Sequence, residues 1–262
     1  MKLEVLLSVM NCNLKDLSKH NITSDCVVIN QCDKKDYKKY KNFKIYSYNE
    51  RGAANSRNRG LEHIKDDIIL LSDDDMVYDD NYKKTVLSAF KENSNADMII
   101  FNVHSPNRPK RNIKKNKRLH LFNSLHYATC NIAFKRSSLG NIRFNNLFGP
   151  NGYYKHAGGD DTLFIVSFLN NKLKVYSNTN YIGTVYHERS TWHKEYDENF
   201  FFDKGALYTA INKHIRLFLI IQFLIRHNEL LNKLSFNQAL KCMIKGSNDY
   251  LKLIAKGGVT NE

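Results

Sequence analysis

No CxxC pair joins the five cysteines of this 262-residue chain, Cys12, Cys26, Cys32, Cys130 and Cys242. Their scatter speaks against a zinc site and against a disulfide framework, and it implies a reducing cytoplasm. No apolar run is long enough to cross a bilayer: residues 217–225, LFLIIQFLI, span nine positions, where a transmembrane helix needs about 20. A signal peptide's anatomy is missing as well, since Glu4 interrupts the apolar stretch 3–9 and no small-residue cleavage site follows, so the chain is expected to stay inside the cell. There are no internal repeats and no recognisable nucleic-acid-binding motif.

Disorder is disfavoured by 42% hydrophobic and 12% aromatic residues, and the length suffices to bury a sizeable core in one domain, with or without an appendage. Lys and Arg number 40 against 26 Asp and Glu, a formal net charge of +14. That excess implies attraction to something anionic: nucleic acid, an anionic membrane or a phosphorylated substrate. Basic flanks around 217–225 (Lys213, His214, Arg216, Arg226, His227) suit either a helix lying on an anionic leaflet or one buried against the main domain.

Against this positive background, Asp73, Asp74 and Asp75 stand together directly after Ile68-Ile69-Leu70-Leu71. Adjacent like charges are costly to keep ionised without a nearby cation or donors. The apolar run reads as a buried strand, and in open α/β sheets ligands collect beyond the carboxyl ends of strands. Oxygen-only ligands suit Mg²⁺ or Mn²⁺. A calcium EF-hand fits poorly, because Val77, Tyr78 and Lys84 occupy positions that would need Asp or Asn, Gly and Glu. The alternative is capping of the segment that follows, although Asp79, Asp80 and Asn81 are better placed to cap a helix over 82–92.

Strands are predicted at 2–9, 25–30, 44–48, 68–72 and 97–103, with a helix after Gly52 in ERGAANSRNRGLEHI; this alternation implies a parallel sheet with helices on its faces. Residues 106–120, PNRPKRNIKKNKRLH, read as an exposed basic loop. A second loop, 144–160, carries four glycines around Tyr153 and Tyr154, and loops this long are usually functional. A helix at 162–170, strands near 174–177 and 181–187, and a helical tail from about 201 complete the reading.

Arg57 shares a helix stripe with Ala54, Leu61 and Ile64. Near the helix N-terminus it is placed to meet an anion; the alternative is a snorkelling structural arginine. Beside the aspartates, a diphosphate is the preferred reading. Asp160 and Asp161 follow Gly158-Gly159 and either cap the next helix or supply a general base under a closing lid. His187 begins HERSTW, bringing an imidazole, Arg189 and Trp192 together, with metal or phosphate contact set against a structural role.

Taken in order, a strand, ERGAANSRNRG, a strand with SDDD, GGDD about 85 residues later and a strand ending in His resemble a family-2 glycosyltransferase of the GT-A fold. The resemblance covers roughly residues 2–195, and FFDKGALYTAI in the tail looks like bacterial capsule or surface-polysaccharide members. It implies an α/β fold, a mostly parallel Rossmann-like sheet with an α-helical C-terminal extension. The implied domains are a catalytic domain over residues 1–195, with about 1–105 binding the nucleotide sugar and about 106–195 facing the acceptor, and a helical extension 196–262, for which membrane association and packing on the main domain are both open. In site terms it implies that Asp73, Asp74 and Asp75 form the DxD-type site, with Asp75, Asp73 and His187 toward a divalent Mn²⁺ or Mg²⁺. Asp73, Asp74, Asp33 and Arg57 face the sugar nucleotide. Asp161 matches the inverting general base, and Asp160 stands where Glu is commoner. Tyr153, Tyr154 and Trp192 are expected on the acceptor side or its lid. SVMNCN replaces the family's usual proline-threonine-tyrosine stretch.

The expected activity is transfer from a nucleotide-diphosphate sugar, UDP-linked, to a lipid-linked glycan acceptor at the cytoplasmic face of a membrane. The rivals are a basic nucleic-acid-binding protein, suggested by the loop 106–120, and a sugar-nucleotide scaffold without catalysis. Two aspartate clusters would repel nucleic-acid phosphates, and Asp161 argues against the scaffold.

Overall fold

The computed structural model describes residues 1–106, 112–186 and 195–257; His187, Trp192 and a stretch of the basic loop lie outside the described residues. Among the described residues the elements are β1 (Leu3–Met10), α1 (Leu14–Leu17), β2 (Asp25–Gln31), β3 (Asp36–Tyr40), β4 (Phe43–Tyr48), α2 (Ala53–Leu61), β5 (Ile68–Asp73), β6 (Met76–Tyr78), α3 (Tyr82–Glu92), β7 (Met98–His104), β8 (Lys117–Arg118), α4 (Leu121–Ser124), β9 (Ile132–Lys135), α5 (Asp160–Asn170), β10 (Val175–Val185), α6 (Glu198–Ile211), α7 (Arg216–Arg226) and α8 (Phe236–Ala255). They fall into two compact units, Met1–Phe144 with Phe164–Ser190, and Asn145–Leu163 with Thr191–Glu262.

The first unit holds a ten-stranded sheet in the order β3-β4-β2-β1-β5-β9-β7-β10-β6, with β8 paired to β10. β4, β2, β1 and β5 are parallel neighbours, and β7 pairs parallel with β10; β3, β6, β8 and β9 run against them. The sheet is therefore mostly parallel and flanked by helices, as expected. Side-chain alternation sorts its two faces. Val5, Leu7 and Val9 of β1 pack with Tyr82, Val86 and Phe90 of α3, while Leu6 packs with Ala54 and Leu61 of α2 and with Phe134, Phe164 and Phe168. Glu4 breaks this apolar pattern and is fully buried, but its carboxylate accepts from Lys44 Nζ at 3.3 Å and from the Lys65 amide at 2.6 Å.

Several expected boundaries shift. The two strands predicted around 174–187 are one strand, β10, with register shifts near Ser177, Tyr181 and Thr184. α5 starts at Asp160, so both its carboxylates lie in the first helical turn. The cap predicted for α3 is not made by a side chain; Asp80 instead accepts from Asn21 Nδ2 at 2.8 Å.

The second unit is built on α6, α7 and α8. α6 and α8 meet along a seam of small residues: Thr209 Oγ1 donates to Ser247 Oγ at 2.7 Å, and Gly205 and Gly246 press against the opposite helix's backbone. A methyl on Gly246 would overlap the Phe202 carbonyl, which cannot move without the helix. The overlap is worth about 3 kcal/mol, and alanine's better helix propensity offsets only ~1 kcal/mol of it. Gly246→Ala should therefore cost about 2 kcal/mol in chemical denaturation. Ser247→Ala, which removes one hydrogen bond, should cost roughly half that.

Candidate active site

Parallel strands end together, and the register shows where. Ser8 of β1 is opposite Asp73 of β5, Met10 is opposite Gln31, and Gln31 is opposite Tyr48. The loops that follow these ends share one edge of the sheet, the usual ligand crevice of open α/β folds.

Buried polar groups tie α2 to that edge. Gly52 sits just before the helix at φ 114°, a conformation that side chains resist, and its amide donates to Gln31 Oε1 at 2.8 Å. Gln31 Nε2 reaches Ser8 Oγ at 3.4 Å, and Ser8 shares a 2.5 Å hydrogen bond with Ser56 Oγ on α2. Arg57 is thereby aimed at β5. It is buried, its Nη2 donates to Asp73 Oδ1 at 2.7 Å, and its guanidinium carbon lies 5.5 Å from the Phe144 ring centroid. Phe144 stacks in turn on Phe164 at 4.0 Å. Of the two roles open to Arg57, the structure shows a charge pair with the first aspartate of the cluster.

Asp74 and Asp75 form the turn between β5 and β6, Asp74 exposed and Asp75 half-buried. The Tyr186 amide donates to the Asp75 carbonyl at 3.1 Å, which fastens the turn to the end of β10. Asp73 is thus paired to a guanidinium, and Asp74 and Asp75 are the two further carboxylates at this turn. Among the described residues no group of three His, Cys, Asp or Glu side chains is arranged to hold a metal ion. Mg²⁺ and its like typically use one or two protein carboxylates together with substrate phosphates, and Asp75 with Asp74 meets that requirement. Asp73, expected in both the metal and nucleotide sets, is the carboxylate paired with Arg57.

Asp33 follows β2 and is well exposed; Arg51 Nη2 grips its carboxylate at 2.5 Å while Nη1 donates to the Cys32 carbonyl at 2.8 Å. The Cys12 amide donates to Asn30 Oδ1 at 2.8 Å, anchoring the loop that carries the unusual SVMNCN sequence. Arg51 and Gln31 escape sequence reasoning: one is a charged residue in a loop and the other a lone amide at a strand end, and only tertiary placement gives them partners.

In the second unit Asp160 and Asp161 are both buried, and Asp161 Oδ1 accepts from the Thr162 amide at 2.7 Å. Lys204 of α6 lies over the rings of Tyr208 and Phe223, at 5.6 and 5.5 Å from their centroids. Burial pushes its ammonium down to about 8, with the charge of Asp161 pulling it back up. Tyr153 is exposed, whereas Tyr154 is fully buried against Phe148 and Tyr250 and donates to Asp249 Oδ2 at 2.8 Å. Tyr154 therefore anchors the loop from within. His156 helps in the same way, with its amide and Nδ1 on Asp203 Oδ2 at 2.7 and 2.9 Å.

Residues 25–153 match the family model described as Glycosyl transferase family 2. Among curated proteins none matches the chain. Among solved structures, S. aureus TarS 1-349 in complex with UDP-GlcNAc is similar at 14% identity and a TM-score of 0.65, over 100% of this chain and 93% of that one. The mannosyltransferase PcManGT from Pyrobaculum calidifontis, in complex with GDP-Man and Mn²⁺, is similar at 11% identity and a TM-score of 0.52, over 98% and 79%. At these identities the likeness is one of fold.

Proposed function

We propose, for a chain recognised as a family-2 glycosyltransferase of the GT-A fold, that it is an inverting, metal-dependent enzyme that moves a sugar from a nucleotide-diphosphate sugar, UDP-linked, to a glycan acceptor. The acceptor in this reading is a lipid-linked repeat unit of a capsule or surface polysaccharide, met at the cytoplasmic face of a membrane. The observation that carries it is the strand-end arrangement of the first unit, with Asp73 held by Arg57 beside the two-carboxylate turn of Asp74 and Asp75. Neighbours of the same fold captured with UDP-GlcNAc and with GDP-Man and Mn²⁺ support a nucleotide-sugar donor.

In this reading Arg57 fixes the orientation of Asp73 for the donor's ribose, and Arg51 does the same for Asp33 beside the base. Asp75, with Asp74, would hold Mn²⁺ or Mg²⁺, which when bound supplies positive charge to the leaving diphosphate. Asp161 takes the proton from the acceptor hydroxyl as that oxygen bonds the anomeric carbon and the carbon–phosphate oxygen bond breaks. One displacement inverts the centre. Asp160 supports the base from the same helical turn, and Tyr153 is the aromatic of the loop available to an acceptor sugar.

A panel of UDP- and GDP-sugars tests the donor. A cognate donor at about 100 times its Kd stabilises the folded state by about 2.7 kcal/mol, so at least one UDP-sugar should raise the melting temperature and be slowly hydrolysed. A panel in which no nucleotide sugar does either overturns the reading.

A further inference from the structure

α7 divides its apolar residues between two surroundings. Ile220, Phe223 and Leu224 pack with Phe201, Ala239 and Met243 inside the second unit. Leu217, Phe218, Ile221 and Ile225 are 51%, 55%, 45% and 64% exposed. Positions 217, 221 and 225 recur every fourth residue and so form one stripe along the helix, with 218 beside it. A shallow groove of about 380 Å³ runs along this stripe between Phe218, Ile221, Gln222, Ile225 and Arg226. Single exposed apolar residues are ordinary, but a contiguous row of four marks a contact surface.

Charge selects the occupant. Arg216 and Arg226 bracket the helix, Lys213 precedes it, and α7 contains no acidic residue. The next acid in the chain, Glu229, is taken by His227 at 3.1 Å. A second copy docking on the same stripe would oppose these cations to one another, which works against association. Nucleic acid offers phosphates but no apolar phase for four large side chains. An anionic lipid surface supplies both. At 1.5 Å per residue the helix is about 16 Å long, and no helix among the described residues is long and apolar enough to cross a membrane.

We infer that α7 lies in the plane of an anionic membrane, with Leu217, Phe218, Ile221 and Ile225 at the acyl boundary and Lys213, Arg216 and Arg226 among the headgroups. The inference rests on the membrane-side aspect of the proposed function and names the surface that accomplishes it.

The full chain is sedimented with phosphatidylcholine vesicles with and without phosphatidylglycerol, at low and high salt. Binding should require phosphatidylglycerol and weaken with salt, because exposed charges are screened within about 10 Å at 0.1 M. The double variant Ile221→Gln/Ile225→Gln should bind at least about tenfold more weakly. Arg216→Gln/Arg226→Gln should lose about fivefold per charge. Ile221, Ile225 and Arg226 are exposed, while Arg216 is half-buried with Nη1 on the Lys213 carbonyl at 3.3 Å; a melting temperature close to the parent's confirms folded protein for each variant. Equal binding of parent and variants, or no preference for anionic vesicles, overturns the proposal. So does a dimer in sedimentation velocity that the isoleucine variant dissolves while vesicles go unbound, which assigns the stripe to a second copy. UDP-sugar hydrolysis without lipid, read on the same samples, separates failure of docking from failure of the transferase reading.

Discussion

Asp161→Asn is expected to lower transfer by about 10²–10⁴-fold, the usual worth of a positioned general base, while donor affinity and melting temperature stay near the parent. Asparagine preserves the side-chain oxygen that meets the Thr162 amide at 2.7 Å, and it caps a helix about as well as aspartate. It cannot accept the acceptor's proton. If Asp161 only caps α5, turnover and stability will both barely change. Rate, UDP-sugar affinity and melting temperature of this one variant separate the two roles, and near-parental turnover removes Asp161 from the chemistry.

Exhaustive chelation should abolish transfer and weaken UDP binding, with Mn²⁺ or Mg²⁺ restoring both. A metal at a departing diphosphate contributes several kcal/mol of transition-state stabilisation, and each 1.36 kcal/mol is tenfold in rate, so the loss should be at least about a hundredfold. Asp75→Asn should raise the metal concentration needed for half-maximal UDP binding, a readout independent of turnover. Asp73→Asn should not shift that requirement as far, because its carboxylate answers to Arg57. Undiminished turnover after chelation would sink the metal assignment, including the role given to Asp75.

The sheet was legible where burial leaves a compositional mark. The central parallel strands are continuous apolar runs, and the strand β5 with the three aspartates at and after its end could be placed by inspection. β3, β6 and β9 left no such mark: DYKKY has no aliphatic residue, MVY spans three residues, and IAFK reads the same as a piece of a buried loop. Their existence depends on partners distant in the chain. In the site, the carboxylates and Arg57 stood out by type and order, but the ion pair joining Arg57 to Asp73 did not, because stripe position does not specify a partner. The enclosure of Tyr154 is illegible for a related reason. A tyrosine in a glycine-rich loop looks like a contact residue until Phe148, Tyr250 and Asp249 are seen to enclose it.

The polar character that hid β3 has a protective result. β3 closes one end of the sheet order, and residues 37–40 of it, among them Lys38 and Lys39, are exposed; at the opposite end stands the three-residue β6. Long flat apolar edges recruit foreign strands, whereas lysines and brevity deter them. A protein crowded by its neighbours thus offers little template for strand addition, and replacing Lys38 and Lys39 with valine would be the direct way to make its concentrated solutions aggregate.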